Sequence, residues 1–145
     1  MNDDRIILDW RVPAHVWANR WNYSLALYAI LHPTDDEFLY LGKADGATSS
    51  VRDRWLAGDK HERVWRRIEE DRGLYRHRFI IGEFRLGEGQ RLTRELVSDV
   101  ESLLINELKP WANSKSIRSR GFRRPGMLVS CQGHWPCKRR MFRDQ

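Results

Sequence analysis

Ser24-Leu25-Ala26-Leu27-Tyr28-Ala29-Ile30-Leu31 leads through His32-Pro33-Thr34-Asp35-Asp36 into Glu37-Phe38-Leu39-Tyr40-Leu41-Gly42-Lys43-Ala44. Two short apolar runs around a Pro-Asp turn predict a β-hairpin. Opposed strands of this kind can bring Tyr28, Tyr40 and Lys43 onto one face, where Gly42 lets the backbone come close to another group. Tyrosines are also good strand formers, so the hairpin alone gives them no chemical task.

Working outward, Asp45 to Ser50 is a loop ending in a good N-cap, so a helix should start near Val51 and stall around Gly58. Asp59 with Glu62 makes a capping box for a second helix through about Arg72, closed by Gly73. Leu74 to Leu86 holds Tyr, Phe and two Ile before Gly87 and Gly89, and reads as a third strand. The last helix spans about Gln90 to Lys109 and stops at Pro110. Residues 1 to 23, with Trp10, Trp17 and Trp21 and a short helix after Pro13, read as an N-terminal packing extension. The central domain is then 24 to 114, and 115 to 145 is a basic C-terminal extension.

On the last helix, Leu92, Leu96, Val97, Val100, Leu103, Leu104, Ile105 and Leu108 fill one broad arc, and Glu101 falls inside it. A carboxylate among core-facing positions costs free energy unless it is paired or holds a cation. Glu101 therefore either serves a cation, pairs with an arginine, or reaches solvent at the edge of the arc.

Composition bounds the rest. A chain of 145 residues with 41% hydrophobic and 32% charged side chains is expected to form one soluble globular domain. No run approaches the roughly 18 to 20 apolar residues that span a bilayer, and the start is acidic, so the expectation is a cytoplasmic protein with no membrane partner. The two cysteines exclude a disulfide framework; Cys131, His134 and Cys137 have ligand-like spacing but lack the fourth ligand of a structural zinc site. Net charge is +6, unevenly spread: residues 115 to 145 carry nine bases and one acid, the other 114 residues 17 bases and 19 acids. A basic strip of Lys115, Arg118, Arg120, Arg123, Arg124, Lys138, Arg139 and Arg140 is the footprint of a protein that meets phosphates, or a solvated tail. Phe122 and Trp135 among these bases could stack on nucleobases or pack the tail onto the body.

Ala26-Leu27-Tyr28, then Tyr40-Leu41-Gly42, Arg54-Trp55, Glu101 with Leu104-Ile105, and Pro110 before Asn113, occur in an order that resembles the GIY-YIG nuclease domain. Tyr40-Leu41-Gly42-Lys43-Ala44 looks most like the version in the bacterial excision-repair nuclease subunit. The resemblance spans about residues 24 to 114 and implies an α/β fold of the α+β type, a small three-stranded antiparallel sheet flanked by helices. It also implies a metal-dependent endonuclease hydrolysing DNA phosphodiesters, with Glu101 ligating one Mg²⁺ or Mn²⁺. In that scheme Tyr28 activates or orients the attacking water, directly as a base or through hydrogen bonds, helped by Lys43, Arg54 and the metal. Arg54 binds the scissile phosphate, Tyr40 completes the hydrogen-bonded wall with Gly42, and Asn113 holds that wall in place.

The chain departs from the family pattern in three places. The first motif carries Ala26 and Leu27, and the second Leu41, where the family has Gly and Ile; a longer loop before Arg54 makes Arg52 an alternative phosphate ligand. Gly58 stands where many members carry His or Tyr, and His61 could substitute if the helix were continuous. His77 is a weaker substitute. Two other readings therefore stand beside the DNA nuclease: a nucleic-acid-binding module of the same fold with weakened catalysis, and an RNA-directed nuclease. Monomer or homodimer on the substrate is expected, because one metal site cuts one strand at a time.

Overall fold

Ile6, Leu8 and Trp10 point one way and Ile7, Asp9 and Arg11 the other, a period of two that makes the N-terminal segment a strand. The computed structural model of the chain describes residues 5–14, 18–46, 50–55, 59–113 and 124–144, apart from the side chains of 59–61. Its strands are β1 (Arg5–Arg11), β2 (Ala26–Leu31), β3 (Phe38–Ala44), β4 (Arg78–Arg85), β5 (Leu128–Gly133) and β6 (Met141–Arg143). The helices are α1 (Val51–Trp55), α2 (Asp59–Arg72) and α3 (Arg94–Leu108), with single 3-10 turns at Asn19–Asn22 and Trp111–Asn113.

One six-stranded sheet runs in the order β3-β2-β4-β1-β5-β6. Every neighbouring pair is antiparallel except β1 and β5, which run parallel. This corrects the expected small three-stranded antiparallel sheet. The three expected strands are its β3-β2-β4 end, and the segments at the two ends of the chain supply β1, β5 and β6. The physical reason lies at β4, whose second edge would otherwise offer a row of unpaired N–H and C=O groups. β1 takes that edge from Ile7 opposite Arg85 to Arg11 opposite Ile81, and its own far edge is taken by β5.

Both faces of the β2 end are buried, which explains why Ala26–Leu31 is one continuous apolar run rather than an alternating one. On one face Leu8, Trp10, Leu27, Ala29 and Ile80 pack with Val97, Val100, Leu103 and Leu104 of α3. On the other, Tyr28, Ile30, Tyr40, Phe79 and Ile81 pack with Trp21, Val51, Trp55 and Ile68. Local signals bound the helices, although α3 begins at Arg94 and not near Gln90, because Thr93 supplies the cap. Ser50 and Asp53 bond reciprocally, the Ser50 hydroxyl accepting from Asp53 N–H at 3.2 Å and Asp53 accepting from Ser50 N–H at 3.0 Å. Thr93 caps α3 by accepting from Leu96 N–H at 3.1 Å, Lys109 ends it in left-handed conformation at φ 49°, and Gly73 follows α2 at φ 64°.

The C-terminal bases within the described residues do structural work. Arg124 Nε donates to the buried Asp99 of α3, and its N–H donates to Asp144 at 2.7 Å. Arg140 donates to the Cys131 and Trp135 carbonyls, while Arg139 pairs with Glu107 and lies over the Phe142 ring at 4.5 Å. Trp135 is buried, donates to the Arg139 carbonyl at 2.8 Å and packs on Trp10 and Phe38, so it fastens the tail to the body instead of stacking on bases. Lys138 is exposed. Lys115, Arg118, Arg120, Phe122 and Arg123 lie outside the described residues, as does Trp17.

Asp9, buried in β1, carries the densest ionic cluster: Arg20 at 2.9 Å, Arg85 at 3.0 Å and Arg11 at 3.2 Å. Burial alone would raise its carboxyl, but Arg20 and Arg11 outweigh that and hold it below the ordinary carboxylate value. A lowered folded-state pKa gives stability that is fully present above the unfolded value of about 3.9 and is lost as pH falls through the folded one. Urea midpoints should therefore be flat above about pH 5 and fall steeply below about pH 4, and Asp9→Asn should flatten that fall at the expense of stability at neutral pH.

Candidate active site

β3 is an edge strand, and its outer edge is closed by a side chain. The buried Asn113 accepts from Leu41 N–H at 2.8 Å and donates to the Leu41 carbonyl at 2.9 Å, standing in for a neighbouring strand. Asn113→Ala leaves both groups without that partner. Each unsatisfied group costs about 1 to 3 kcal/mol, so the melting temperature should drop by roughly 5 to 20 °C in a thermal scan. The same contact locks the register of Tyr40, Leu41 and Lys43 at the mouth of a cleft.

That cleft, of about 510 Å³, is lined by Tyr40, Leu41 and Lys43 from β3, Arg54 from α1, Arg63, Val64 and Arg67 from α2, Glu101 and Ile105 from α3, and Ala112 and Asn113 from the following turn. Of the residues singled out in the sequence, Tyr40, Lys43, Arg54, Glu101 and Asn113 meet here. Lys43 is the hub: its ammonium donates to Ser98 Oγ, lies 3.3 Å from Asp45 Oδ2 and 3.9 Å from Glu101 Oε1. Arg54 reaches the other oxygen of Asp45 at 3.1 Å. Burial would raise the Asp45 carboxyl, but Lys43, Arg54 and Arg94 hold it below its usual range, so it stays a carboxylate.

Tyr28 does not line the cleft. It lies behind Tyr40, 1% exposed, among Tyr40, Trp55 and Phe79, with the two phenols joined by a hydrogen bond. Burial drives its pKa far above the ordinary tyrosine value, and Arg54, the cation acting to lower it, does not offset this. At neutral pH the phenol is neutral, which favours an orienting hydrogen bond over direct proton abstraction. Gly42 has a specific reason to be glycine: a Cβ there would sit 2.6 Å from Tyr28 Cζ. The close approach it permits is that of the Tyr28 ring.

No family model, no curated protein and no solved structure matches this chain. Arg52 turns to Asn22, with Nε 3.3 Å from the side-chain oxygen, and is absent from the cleft lining, whereas Arg54 is present in it. His77 packs edge-on against Trp65 before β4 begins. The side chain of His61, and Gly58, lie outside the described residues. Cys131 is buried, its thiol pushed up to about 12 by that burial, and His134 Nδ1 accepts from Val12 N–H at 2.9 Å, so neither is presented as a metal ligand. Among the described residues no group of three His, Cys, Asp or Glu side chains converges on a metal site, and no helix is long and apolar enough to cross a membrane.

Four residues at the site escaped the sequence reading, Arg63 and Arg67 in the cleft lining and Asp45 and Ser98 as partners of Lys43. Asp45 follows Lys43 by two positions in extended chain, the spacing that returns to the same side. Ser98 precedes Glu101 by one helical turn, and Arg63 and Arg67 are i,i+4 neighbours on α2. Each spacing was visible, but only packing shows that Arg63 and Arg67 face the hollow and that Asp45 and Ser98 engage its Lys43.

Proposed function

We propose that this protein is a divalent-metal-dependent endonuclease that hydrolyses DNA phosphodiesters, with chemistry of the GIY-YIG type. The observation that carries the reading is the meeting of Glu101, Lys43, Arg54 and Tyr40, drawn from three separate elements, in one cationic cleft. Lone patterns in sequence do not make such a constellation; a mostly cationic hollow with one carboxylate in its wall suits a phosphate and a hard cation together.

Glu101, its side chain 16% exposed, fits a cation that keeps most of its waters and takes one carboxylate and a substrate oxygen, the usual habit of Mg²⁺. Such an ion, when bound, supplies Lewis-acid stabilisation of the phosphoryl group and acidifies water. The chain's own residues do the rest. Arg54 offers a planar guanidinium to the non-bridging phosphate oxygens, in place of its present partner Asp45. Tyr40, its hydroxyl held by Tyr28, presents an acceptor to the attacking water. Lys43 bridges the Glu101 and Asp45 carboxylates, offsetting their mutual repulsion, and adds positive charge where the phosphate gains negative charge.

Supercoiled plasmid incubated with the protein in Mg²⁺, in Mn²⁺ and in chelator tests this. Nicked circles that precede linear product in metal, and no cutting in chelator, are the expected result. Duplex binding without cutting in either metal would replace this reading with the binding module, and preferential cleavage of RNA at matched salt would replace it with the RNA-directed enzyme.

A further inference from the structure

The wall of the cleft opposite β3 is α2, and its two cleft-facing cations are held differently from Arg66 and Arg72 of the same helix. Arg72 is neutralised by Glu37 through two bonds of 2.7 Å, and Arg66 pairs with Glu62 at 3.3 Å. Arg67, by contrast, lies with its guanidinium 5.2 Å from the centre of the Trp111 ring, which Arg72 also approaches, at 5.3 Å. An aromatic ring orients a guanidinium without cancelling its charge, so Arg67 is placed and stays available to an anion. Among the described residues neither Arg67 nor Arg63 pairs with a carboxylate, and both are exposed at the cleft. Their i,i+4 spacing sets their Cβ atoms about 6 Å apart on one face of the helix, so both can reach one stretch of backbone.

We propose that Arg63 and Arg67 form a second phosphate subsite, which grips the DNA backbone beside the phosphate bound at Arg54, with Trp111 as the positioning residue for Arg67. This rests on the nuclease reading and extends it: the substrate enters along α2, and the cleft itself holds the backbone. The charges contact phosphates and not bases, so their contribution is independent of sequence and sensitive to salt.

The test is the affinity for a short fluorescent duplex across a salt series in chelator, where nothing is cut. Arg63→Gln and Arg67→Gln should each reduce the slope of log affinity against log salt by about 1, and the double variant by about 2. At the lowest salt the double variant should bind roughly 10- to 100-fold more weakly. Arg66→Gln removes the same charge from the same helix outside the cleft and should leave the slope unchanged. Trp111→Leu should weaken binding severalfold at an unchanged slope, since the charge remains and only its placement is lost. Both arginines are exposed, so the variants should fold, and far-ultraviolet circular dichroism checks this. A wild type that binds and nicks DNA, beside a double variant with the wild-type slope, overturns the subsite and leaves the nuclease reading standing. A wild type that binds no duplex at low salt overturns both.

Discussion

Glu101→Gln should lower plasmid cleavage in Mg²⁺ by at least about 1,000-fold while duplex binding in chelator changes little. The substitution keeps volume and hydrogen-bonding capacity and removes only the charge that would hold the cation. Loss of a metal ligand forfeits several kcal/mol of transition-state stabilisation, and each 1.36 kcal/mol is tenfold in rate. Stability should move the other way or stay level. The carboxylate sits on the apolar arc of α3, and its contact with Lys43, at 3.9 Å, is long for an ion pair. An amide there is cheaper to bury. The two readouts separate the alternatives posed by the sequence. A Glu101 that merely pairs with Lys43 would leave cleavage intact in the Gln variant, and that result would remove it from the metal site.

Gly42→Ala should damage fold and activity together. The new methyl would lie 2.6 Å from Tyr28 Cζ and 2.7 Å from its hydroxyl, against a ring already packed on Tyr40, Trp55 and Phe79. Overpacking of this kind costs about 1 to 3 kcal/mol, read as a lower urea midpoint. The ring can yield only by moving its hydroxyl, which partners Tyr40 at the cleft. Displacing a positioning group by about 1 Å can cost on the order of 100-fold in rate. A double-mutant cycle makes the cause visible: in a Tyr28→Leu background, Gly42→Ala should cost far less, because the ring it strikes is gone. Equal penalties in both backgrounds would show that the clash is not with Tyr28.

Much of the candidate site was legible because its signals are local. The hairpin, the Ser50 helix start, the stop before Pro110 and the acid in the apolar arc of α3 each depend on residues within a few positions of one another. Tyr28 illustrates the limit. Its place on a strand was readable, but its burial behind Tyr40, which decides its protonation, comes from Trp55 and Phe79 on other elements. Arg124, Arg139 and Arg140 illustrate the reverse: a basic composition suggests phosphate, while Asp99, Glu107 and backbone carbonyls engage these side chains.

By itself the sequence determined the local elements of the β2-to-α3 region, though not the starts of β4 and α3, and a carboxylate in α3 that asks for a partner. Periodicity and capping act over one or two turns, and those are read directly from neighbours. Only the tertiary structure decided that the sheet has six strands. The register of Arg5 with Leu128 joins segments more than a hundred residues apart, and β1 spends alternate positions on charge. A strand edge is satisfied by whichever backbone reaches it, and no local pattern names that partner. The same holds for the cleft, where Lys43, Arg54, Arg67 and Glu101 meet only through the packing of α1, α2 and α3 around the end of one edge strand.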